Sequence, residues 1–402
     1  MTSGTRRTEE TAGRSLAESL RCLRCGREYP FSPTAYLCPS CGPGSPADDP
    51  GVLDVRYDYT AAAERFRSAL DSARPQGVFR YRALLPVSAG DSDLVAGNTP
   101  LVEAGRLATR LGFDRLLLKD ETRNPTRCLK DRATAVAVAM AKAAGGRELY
   151  CASAGNAAIS LAGFCAHAGL PCHVFVPSYA SPERLAWLES YGADIHVSGG
   201  DYDTAYSEAE EAGQRHGWYS RNCAFNPFLV EGKKTVAFEI AEALDWNAPD
   251  TVVAPVGDGC TLAAIGKGFR ELRELGLLDR VPQLVGVQAE AMRPMVRRWQ
   301  GTTGEDSGLT GAASINVRRP RNALRLIEEL RQAGGELVAV TDEAIESAQA
   351  RLARESGIVV EFTAAAGLAA LDAYTDAPGH DNGTVVVVLT GGRVDREQPK
   401  TG

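Results

Sequence analysis

Residues 115–145, RLLLKDETRNPTRCLKDRATAVAVAMAKAAG, contain the pattern that defines the fold. The apolar run RLLLKDE predicts a strand buried on both faces. A polar turn with a proline follows it, and then an alanine-rich helix that ends at Gly145. The same succession of strand and helix recurs along the chain from about Gly97 onward. Because strands of this kind, joined by helices, are typical of a parallel sheet covered on both sides, we predict an α/β fold.

The other predicted elements follow the same rule. The further strands are ELYCAS, PCHVFVP, TVVAPVG, QLVGVQA and TVVVVLTGG, and the helices between them include SLAGFCAHAG, SPERLAWLESYG and AAIGKGFRELREL. Ligands of such sheets bind beyond the carboxyl ends of the strands, where loops lead into helices. The loops at these ends are ETRNPTRCLK, ASAGNAA, PVGDGCT and LTGGRVD.

Length and charge narrow the function classes. A chain of 402 residues predicts more than one domain. The formal net charge of −7 and the absence of a basic run argue against a nucleic-acid partner. The first twenty residues contain acids and no apolar region, unlike a secretory signal, and no run approaches the ~18 apolar residues of a membrane span. We therefore predict a cytoplasmic protein with no membrane partner, whose cysteines are reduced unless they bind metal.

Four cysteines near the N-terminus form two CxxC pairs, Cys22 with Cys25 and Cys38 with Cys41, separated by twelve residues. Four thiolates at this spacing can close a tetrahedral zinc site with no open position, which makes the ion structural. The alternatives are two disulfides or four unrelated thiols. In a reducing compartment the spacing favours zinc.

Each loop at the sheet edge carries a weak signal by itself. Lys130 lies in the first turn of a predicted helix, where the positive helix end disfavours a cation, and a lone lysine there would usually be solvated. Asn156 is equally suited to cap a helix or to bind an oxygen. Gly257 and Gly259 allow a phosphate-binding turn or simply a tight one. The Thr390 hydroxyl can end a strand or bind a ring nitrogen.

Taken together, the four loops resemble those of the fold-type-II pyridoxal-phosphate enzymes, the tryptophan synthase beta superfamily, and within it the threonine-synthase-like members. NPTRCLKDR is similar to the asparagine-proline-threonine…lysine-aspartate-arginine signature of that family. SAGNAA, PVGDGCT and LTGG are similar to its asparagine, phosphate and pyridine loops, in the same order. The resemblance covers about Gly97 to Asp395. The CxxC pairs with GVLDVRYDY resemble the zinc-ribbon segment of some members.

The resemblance implies two open, mostly parallel, doubly wound α/β domains with the cofactor in the cleft between them, preceded by a small zinc ribbon. We predict an N-terminal segment at residues 1–60 with the ribbon at 22–41. The large cofactor-binding domain is predicted at 61–135 and 230–402, and the small α/β domain at 136–229.

The resemblance also assigns roles to residues. Lys130 is implied to carry the cofactor covalently and to act as the base at the substrate Cα, whereas Asp131 and Arg132 are structural neighbours. The other implied contacts are Asn156 with the 3-hydroxyl oxygen, Thr390 with the pyridine nitrogen, Gly257, Asp258, Gly259, Cys260 and Thr261 with the phosphate, Ser153, Ala154 and Gly155 with the substrate carboxylate, and Cys22, Cys25, Cys38 and Cys41 with zinc.

The chain departs from the family around the substrate. Arg127 and Cys128 stand where glycine and serine are usual. Arg127 either turns outward into solvent or binds an anionic substrate group such as a phosphate, sulfonate or second carboxylate. After Thr390 the family's histidine-glycine…lysine-aspartate stretch is missing, and the chain continues with GRVDREQPKTG. Either Arg393 replaces a lost basic contact, or the wall of the active site is open there.

The resulting functional hypothesis is a lyase that performs elimination and replacement on an O-phosphorylated amino acid such as O-phosphohomoserine. The first rival keeps the cofactor and performs β-replacement or deamination on O-phosphoserine, serine or threonine, as in cysteate or cysteine synthesis. The second rival is a catalytically silent zinc-containing binding protein. The hypothesis implies a small-molecule amino-acid substrate that is anionic, and the family likeness implies a homodimer. No nucleic-acid or membrane partner is expected.

Overall fold

The computed structural model describes residues 15–42, 50–70, 77–87, 93–308, 310–374 and 383–392. The chain forms two compact units. The first contains Met1–Gly42, Gly51–Asn98 and Lys130–Thr235, and the second contains Pro43–Pro50, Thr99–Leu129 and Val236–Gly402.

Strands and helices alternate through most of the described chain. The strands are β1 (Ala17–Cys22), β2 (Glu28–Pro30), β3 (Leu53–Tyr57), β4 (Leu101–Glu103), β5 (Arg115–Asp120), β6 (Leu149–Ala152), β7 (Cys172–Val176), β8 (Asp194–Val197), β9 (Tyr219–Ser220), β10 (Thr251–Pro255), β11 (Gln283–Ala289), β12 (Glu336–Val340) and β13 (Thr384–Leu389). The α-helices are α1 (Tyr59–Leu70), α2 (Gly105–Leu111), α3 (Lys130–Ala143), α4 (Asn156–Ala168), α5 (Pro182–Ser190), α6 (Tyr202–His216), α7 (Phe228–Ala243), α8 (Cys260–Glu274), α9 (Pro294–Gln300), α10 (Ala323–Gln332), α11 (Asp342–Ser356) and α12 (Phe362–Tyr374). Short 3-10 helices lie at Gly77–Leu84, Glu121–Arg123 and Ala313–Ile315.

The first unit contains two sheets. An antiparallel sheet of order β2-β1-β3 holds the N-terminal segment, and a parallel sheet of order β8-β7-β6-β9 forms the α/β part. Helix α6 packs on the face of the parallel sheet that carries Tyr150, Ala152 and Phe175. All four residues of β6 are buried, so its opposite face is covered as well.

The N-terminal sheet is packed onto the rest of the first unit through aromatic side chains. The ring of Phe31 lies 5.7 Å from that of Phe228 on α7, and Tyr36 lies 5.8 Å from Tyr219 on β9. The Tyr36 hydroxyl accepts a hydrogen bond from the Ser220 amide at 3.3 Å, and burial raises the pKa of Tyr36 to about 12. The four-cysteine segment is therefore anchored on the same core as β9 and α7.

The second unit is built on a six-stranded sheet of order β12-β11-β10-β13-β5-β4. Its strands are parallel except β4, which is antiparallel to β5 at the edge. Val285 and Val287 of β11 belong to the core cluster that includes α12, whereas Leu284 and Gly286 face side chains of α8. Because alternate residues of a strand point to opposite faces, the sheet is covered by helices on both sides, as a doubly wound fold requires.

The α/β class predicted from the sequence is confirmed. The apolar runs predicted as strands are β5, β6, β7, β10, β11 and β13. The strands β4, β8, β9 and β12 were missed by the pattern. All four are sheet edges, and β4, β8 and β12 carry half-exposed residues that interrupt an apolar run. The domain boundaries at residues 60, 135 and 229 stay predictions.

None of the helices among the described residues is both long enough and apolar enough to cross a membrane.

Candidate active site

The segment Asn124–Leu129, called the signature loop here, leaves the end of β5 through buried hydrogen bonds in the second unit. The Asn124 side-chain amide donates to the Glu121 carboxylate at 2.8 Å, and the Thr99 hydroxyl donates to the same carboxylate at 2.7 Å. Glu121 is fully buried. Since charge-assisted hydrogen bonds in a dry interior are strong and directional, this network fixes where the loop begins.

A buried ion pair contacts the same hydrogen-bond network through Thr99. Lys119 Nζ is 2.7 Å from Glu239 Oε2 and donates to the Thr99 carbonyl, also at 2.7 Å. The two side chains are 1% and 8% exposed. Each charge in such a pair depends on the other, because a single unpaired charge at that depth would be costly. The pair joins β5 to the second half of α7 below the signature loop.

The signature loop is joined to the end of β13 by backbone hydrogen bonds. The Leu129 amide donates to the Thr390 carbonyl at 2.9 Å, and the Gly392 amide donates to the Arg127 carbonyl at 3.0 Å. Cys128 and Gly391 form an isolated antiparallel bridge between them. A Cβ at Gly392 would lie 2.6 Å from Thr122 Cβ, so only glycine fits this approach.

The Thr390 side chain is left available by these contacts. Its carbonyl is used by Leu129, but its hydroxyl makes no hydrogen bond within the part of the chain that the structure describes. The residue is partly exposed at the carboxyl end of β13. A hydroxyl in this position can donate to, or accept from, a ring nitrogen.

Arg127 has an exposed side chain and a left-handed backbone conformation, with φ of 63°. This region is unfavourable for residues with a Cβ and is readily adopted by glycine. The family's usual glycine at this position therefore has a conformational reason, which the sequence pattern did not reveal. The exposed guanidinium bears no burial cost. The neighbouring Cys128 is 1% exposed, with its Sγ 3.6 Å from the Thr126 hydroxyl.

The turn between β10 and α8, together with the first two residues of α8, forms a tight cradle at residues 257–261 in the second unit. A Cβ at Gly257 would meet the Ser314 carbonyl at 3.1 Å, and Gly259 has φ of 90° directly before α8. The amides of Gly257 and Gly259 donate to no acceptor among the described residues. Free amides at a positive helix end are suited to an anion such as a phosphate.

Asp258 has a structural part in this cradle. Its carboxylate accepts a hydrogen bond from the Arg321 amide at 3.1 Å, and its carbonyl accepts one from the Asn322 amide at 3.1 Å. These contacts tie the turn to the segment before α10. The Arg321 amide already binds this carboxylate. A phosphate in the cradle would therefore be bound by backbone amides.

The phosphate cradle, Thr390 and the signature loop lie at the carboxyl ends of neighbouring strands in the sheet of the second unit. They follow β10, β13 and β5, which are adjacent and parallel. The loops that follow neighbouring parallel strands all begin at the carboxyl ends of those strands, at the same end of the sheet. The structure thus brings together the predicted phosphate and pyridine contacts with the loop that leads to Lys130.

In the first unit, Lys130 is the first residue of α3, as the sequence predicts. Its carbonyl accepts hydrogen bonds from the Thr134 hydroxyl at 3.0 Å and from the Arg221 guanidinium at 3.3 Å. Arg221 is 2% exposed. The Lys130 Nζ makes no hydrogen bond or ion pair with any described residue. The backbone of the lysine is therefore fixed while its amine stays available.

Two helices of the first unit begin beside each other. The Thr134 hydroxyl of α3 and the Ser160 hydroxyl of α4 are 2.7 Å apart. Gly232 on α7 lies so close to the Arg132 carbonyl that a Cβ would overlap it. The start of α3 is thus packed between α4 and α7, and buried Arg132 donates to Thr235 at 2.9 Å. This agrees with the structural part predicted for Arg132.

The turn Ser153–Asn156 leads from β6 into α4. The Ser153 hydroxyl accepts a hydrogen bond from the Gly155 amide at 3.1 Å, and Asn156 is the first residue of the helix. Arg184 of α5 donates to the Ala154 carbonyl at 3.4 Å. A helix start beside a guanidinium is suited to bind a carboxylate.

Sequence reasoning missed Arg184 and Arg221. Arg184 lies on the predicted helix SPERLAWLESYG, where it has the appearance of an ordinary surface cation. Arg221 follows the two-residue strand β9 in a polar stretch with no motif. Their positions depend on packing between elements distant in sequence, and no local signal encodes it.

The four cysteines predicted to bind zinc lie together in the N-terminal sheet. Their four Sγ atoms are within 4.8 Å of one another, and Cys25 Sγ is 3.8 Å from Cys38 Sγ. Thiolates around a zinc ion with Zn–S bonds of about 2.3 Å are separated by about 3.8 Å in a tetrahedron. The thiols are free cysteines, so the disulfide alternative is not formed.

Hydrogen bonds give the thiols of this cluster different pKa values. Burial raises the pKa of Cys38, but the Tyr29 hydroxyl at 3.1 Å and the amides of Ser40 and Cys41 outweigh it and lower the pKa to about 6. The hydrogen bond with Cys25 raises the pKa of Cys41 to about 12. Donors around Cys38 therefore favour a thiolate, which is the form that binds metal.

Comparisons with known proteins agree with these features. The model of the family described as pyridoxal-phosphate dependent enzyme matches residues 93–391. Threonine synthase of Methanosarcina acetivorans is 36% identical over 382 residues, which are 92% of this chain and 91% of that protein. Threonine synthase of Methanocaldococcus jannaschii is 34% identical over 380 residues, with 92% and 91% covered.

Solved structures show the same fold. Maize serine racemase superposes with a TM-score of 0.64 at 17% identity, covering 74% of this chain and 89% of that one. Threonine deaminase isoform 2 from Solanum lycopersicum has a TM-score of 0.64 at 21% identity, covering 74% and 80%. The chain belongs to the family of pyridoxal-phosphate dependent enzymes, in its fold-type-II class. Within that family, the relatives with the similarity reported above are threonine synthases.

The residues present fit this cofactor. The cradle at Gly257 and Gly259 offers amides to a phosphate, and the Thr390 hydroxyl is available to a ring nitrogen. Lys130 supplies an unpaired amine at the start of α3, one residue after the loop tied to Thr390.

Proposed function

We propose that the chain is a pyridoxal-phosphate-dependent lyase that resembles threonine synthase and acts by elimination and replacement on an O-phosphorylated amino acid such as O-phosphohomoserine. The observation that carries the proposal is the 36% identity to a threonine synthase over 92% of the chain. Pyridoxal phosphate, when bound, withdraws electrons from the bonds at the substrate Cα. Residues of this chain bind the cofactor and the substrate and move the proton.

Lys130 is proposed to hold the cofactor covalently and to move the proton at the substrate Cα. Its backbone is fixed by Thr134 and Arg221, while its Nζ is unpaired among described residues, and both facts support this assignment. A base must reach its proton with little reorganisation, and a fixed helix start provides the required rigidity.

The cofactor contacts are proposed residue by residue. The amides of residues 257–261 would bind the phosphate, Thr390 would meet the pyridine nitrogen, and Asn156 would donate to the 3-hydroxyl oxygen. Support comes from the open amides at Gly257 and Gly259 and from the available Thr390 hydroxyl. A hydroxyl is a weak proton donor to a ring nitrogen, so the ring stays largely neutral, which suits elimination and replacement.

The substrate carboxylate is proposed to bind the amides of Ser153, Ala154 and Gly155. The helix start of α4 supplies a partial positive charge there, and Arg184 adds a full charge at the Ala154 carbonyl. The anionic group at the other end of the substrate is assigned to Arg127, whose side chain is exposed and without a partner in the described chain.

The four-cysteine cluster is proposed to hold a structural zinc ion. Its sulfur separations match a tetrahedral site, and four protein ligands leave no position for water. Elemental analysis of the purified protein should find at least one zinc per chain, and Cys22→Ser should lower this value by about one. Zinc far below this ratio in freshly purified wild type would contradict the assignment.

A cytoplasmic location is also proposed. All ten cysteines are free thiols in the structure, as expected where disulfides do not persist. The homodimer implied by the family is likewise a proposal, which sedimentation of the purified protein would test.

The decisive experiment is a product analysis with O-phosphohomoserine and O-phosphoserine in parallel. The proposal predicts phosphate release from O-phosphohomoserine with formation of threonine. Preferential turnover of O-phosphoserine would instead support the β-replacement rival, and deamination of serine or threonine would appear as a keto acid.

Variants on one helix provide the control for the cofactor. Lys130→Ala should abolish covalent attachment of pyridoxal phosphate, measured by mass spectrometry after borohydride reduction. Lys142→Ala, at the exposed end of the same helix, should leave attachment intact. A label on another lysine would refute the assignment, and a wild type that binds no cofactor would support the silent binding protein.

A further inference from the structure

The second group of metal-ligating side chains lies on the sheet of the first unit, apart from the cysteine cluster. His173 on β7 and Asp194 on β8 are register partners, and His196 stands two residues after Asp194. Because alternate residues of a strand share a face, the three side chains point to the same side of the sheet. We call this group the edge-strand site, since β8 is the outer strand.

The ligand atoms of the site lie at distances suited to one ion. Asp194 Oδ2 is 3.0 Å from His173 Nδ1 and 3.1 Å from His196 Nε2, and each of the three residues offers one ligand atom within 4.8 Å of the other two. Two ligands bound about 2.0–2.1 Å from a tetrahedral zinc ion are separated by about 3.3–3.4 Å, so these atoms would move apart by only a few tenths of an ångström around an ion. Asp194 is 61% exposed, so an ion can reach it from solvent.

His196 provides an independent observation. Its Nε2 is buried and has no hydrogen-bond partner in the described structure, although Asp194 Oδ2 is only 3.1 Å away. The two atoms are therefore close without being aligned as donor and acceptor. A buried polar nitrogen without a partner is costly, and a shared ion would relieve that cost for both groups.

Glu148 completes the arrangement from the other side of His173. Its carboxylate is 2.9 Å from His173 Nε2. A proton on Nε2 donated to Glu148 leaves the Nδ1 lone pair free to bind a metal. Metal-binding histidines commonly donate their second ring nitrogen to a carboxylate in this way, which fixes the tautomer and ring orientation.

We propose that His173, Asp194 and His196 bind a divalent transition-metal ion of the zinc class, with Glu148 as the partner that orients His173. Two imidazole nitrogens and one carboxylate favour zinc or nickel over magnesium and calcium, which prefer oxygen ligands. With three protein ligands, the ion keeps an open position for water. The ion joins β7 to the edge strand β8, and it is a second metal site besides the cysteine cluster.

The site carries its own optical probe. The Trp218 ring stacks on the His173 ring with centroids 3.6 Å apart. Nickel bound to His173 would therefore quench the Trp218 fluorescence, whereas zinc, which is diamagnetic, would not. His216 stacks on Trp218 at 4.8 Å but does not belong to the ligand group, which makes it a matched control histidine.

The test is a nickel titration of the full-length protein, loaded with pyridoxal phosphate and with zinc at the cysteine cluster. We expect saturable quenching that zinc reverses by competition. His196→Gln and Asp194→Asn should each remove saturation, and Glu148→Gln should raise the apparent Kd about tenfold. His216→Gln should titrate like wild type, and Trp218→Phe should lose the quenched signal.

The alternative is a charged His173 held between Asp194 and Glu148 without metal. It predicts no saturable quenching in wild type, or quenching that persists in His196→Gln and Asp194→Asn, and either result would overturn the proposal. Quenching abolished by His216→Gln would also overturn it, because the nickel would then bind outside the edge-strand site. Catalytic activity does not enter the readout, so the outcome is independent of the proposed function.

Discussion

The Leu129 amide donates a hydrogen bond to the Thr390 carbonyl at 2.9 Å. This contact joins the residue directly before Lys130 to the residue proposed to meet the pyridine ring. Two loops that are 261 positions apart in sequence are therefore held together at the carboxyl ends of β5 and β13. The glycines after Thr390 make the contact possible, because their neighbours leave no space for a side chain.

Gly392→Ala should break this connection. A Cβ there would lie 2.6 Å from Thr122 Cβ, so the backbone must shift, and overpacking of this kind costs about 1–3 kcal/mol. We expect lower stability and weaker retention of pyridoxal phosphate, measured by denaturant unfolding and by cofactor content after dialysis.

Gly105→Ala is the control for this change, because a Cβ at Gly105 meets nothing within 4 Å. It should leave cofactor content and stability near wild type. Equal cofactor retention in both variants would show that the Leu129–Thr390 contact does not depend on the close approach of Gly392.

Much of the fold was accessible from the sequence because the central strands are apolar on both faces. The runs at β10, β11 and β13 contain no charged residue, so their burial was readable. The edge strands could not be predicted in this way. For example, β8 has the sequence DIHV, with exposed residues at both ends. Its hydrogen bonds to β7 come from tertiary pairing, which a local pattern does not encode.

The site was predictable where function depends on residue type at fixed spacing. Lys130 at the start of a helix and the two CxxC pairs are such cases. The left-handed backbone of Arg127 was not, because glycine is the residue that signals this conformation and the chain has replaced it. Arg221, which holds the Lys130 carbonyl, is placed by the packing of α3 against the segment after β9.

The buried Lys119–Glu239 pair should be important for stability. Lys119→Met leaves the Glu239 carboxylate without its partner in a dry environment, which costs about 3–5 kcal/mol. Urea unfolding of wild type and variant measures the loss. Lys119→Met combined with Glu239→Gln should recover part of it, because no unpaired charge remains.

Arg115→Ala serves as the control on the same strand. Arg115 pairs with Glu103 at 3.5 Å, but the side chains are 45% and 62% exposed. Exposed pairs contribute about 0–1 kcal/mol, so this variant should unfold almost as wild type does. A Lys119→Met loss no larger than that of Arg115→Ala would show that the buried pair is replaceable.

Asp306 should make part of the stability depend on pH. Its hydrogen bond with Arg297, 2.6 Å from Nη2 to Oδ2, holds the pKa of Asp306 below the ordinary value of 3.8, and the Arg293 amide adds a further donor. The folded state thus favours the carboxylate. The stabilisation is complete above the unfolded pKa and is lost as the pH falls through the lower folded pKa.

Thermal unfolding at several pH values tests this expectation. Asp306→Asn should be less stable than wild type at pH 7, and the difference should shrink as the pH falls below about 3.9. Glu211→Gln, which removes an exposed pair with Arg215, should show no comparable difference. A difference between Asp306→Asn and wild type that stays constant down to acid pH would contradict the assignment.

Arg127 combines a strained backbone with an exposed charge, and two substitutions separate these properties. Arg127→Gly removes both, whereas Arg127→Gln removes the charge and keeps the Cβ at φ of 63°. A left-handed residue with a Cβ costs roughly 1–2 kcal/mol, partly offset by the ~0.5–1 kcal/mol of extra unfolded-state entropy of glycine. Arg127→Gly should therefore be more stable than wild type by up to about 1 kcal/mol, and Arg127→Gln should not.

Both substitutions should impair turnover if the guanidinium binds the anionic group of the substrate. A charged hydrogen bond contributes roughly 1.5–3 kcal/mol, so kcat/KM should fall by about ten- to a hundredfold in both variants. Arg127→Lys should recover only part of this, because an ammonium cannot reproduce the planar two-pronged contact. Cofactor content should not change, since the phosphate cradle follows β10 and Arg127 follows β5. If Arg127→Gln keeps kcat/KM within about twofold of wild type, far from the loss that a charged contact implies, Arg127 is a solvated loop residue and the anionic group must be bound elsewhere.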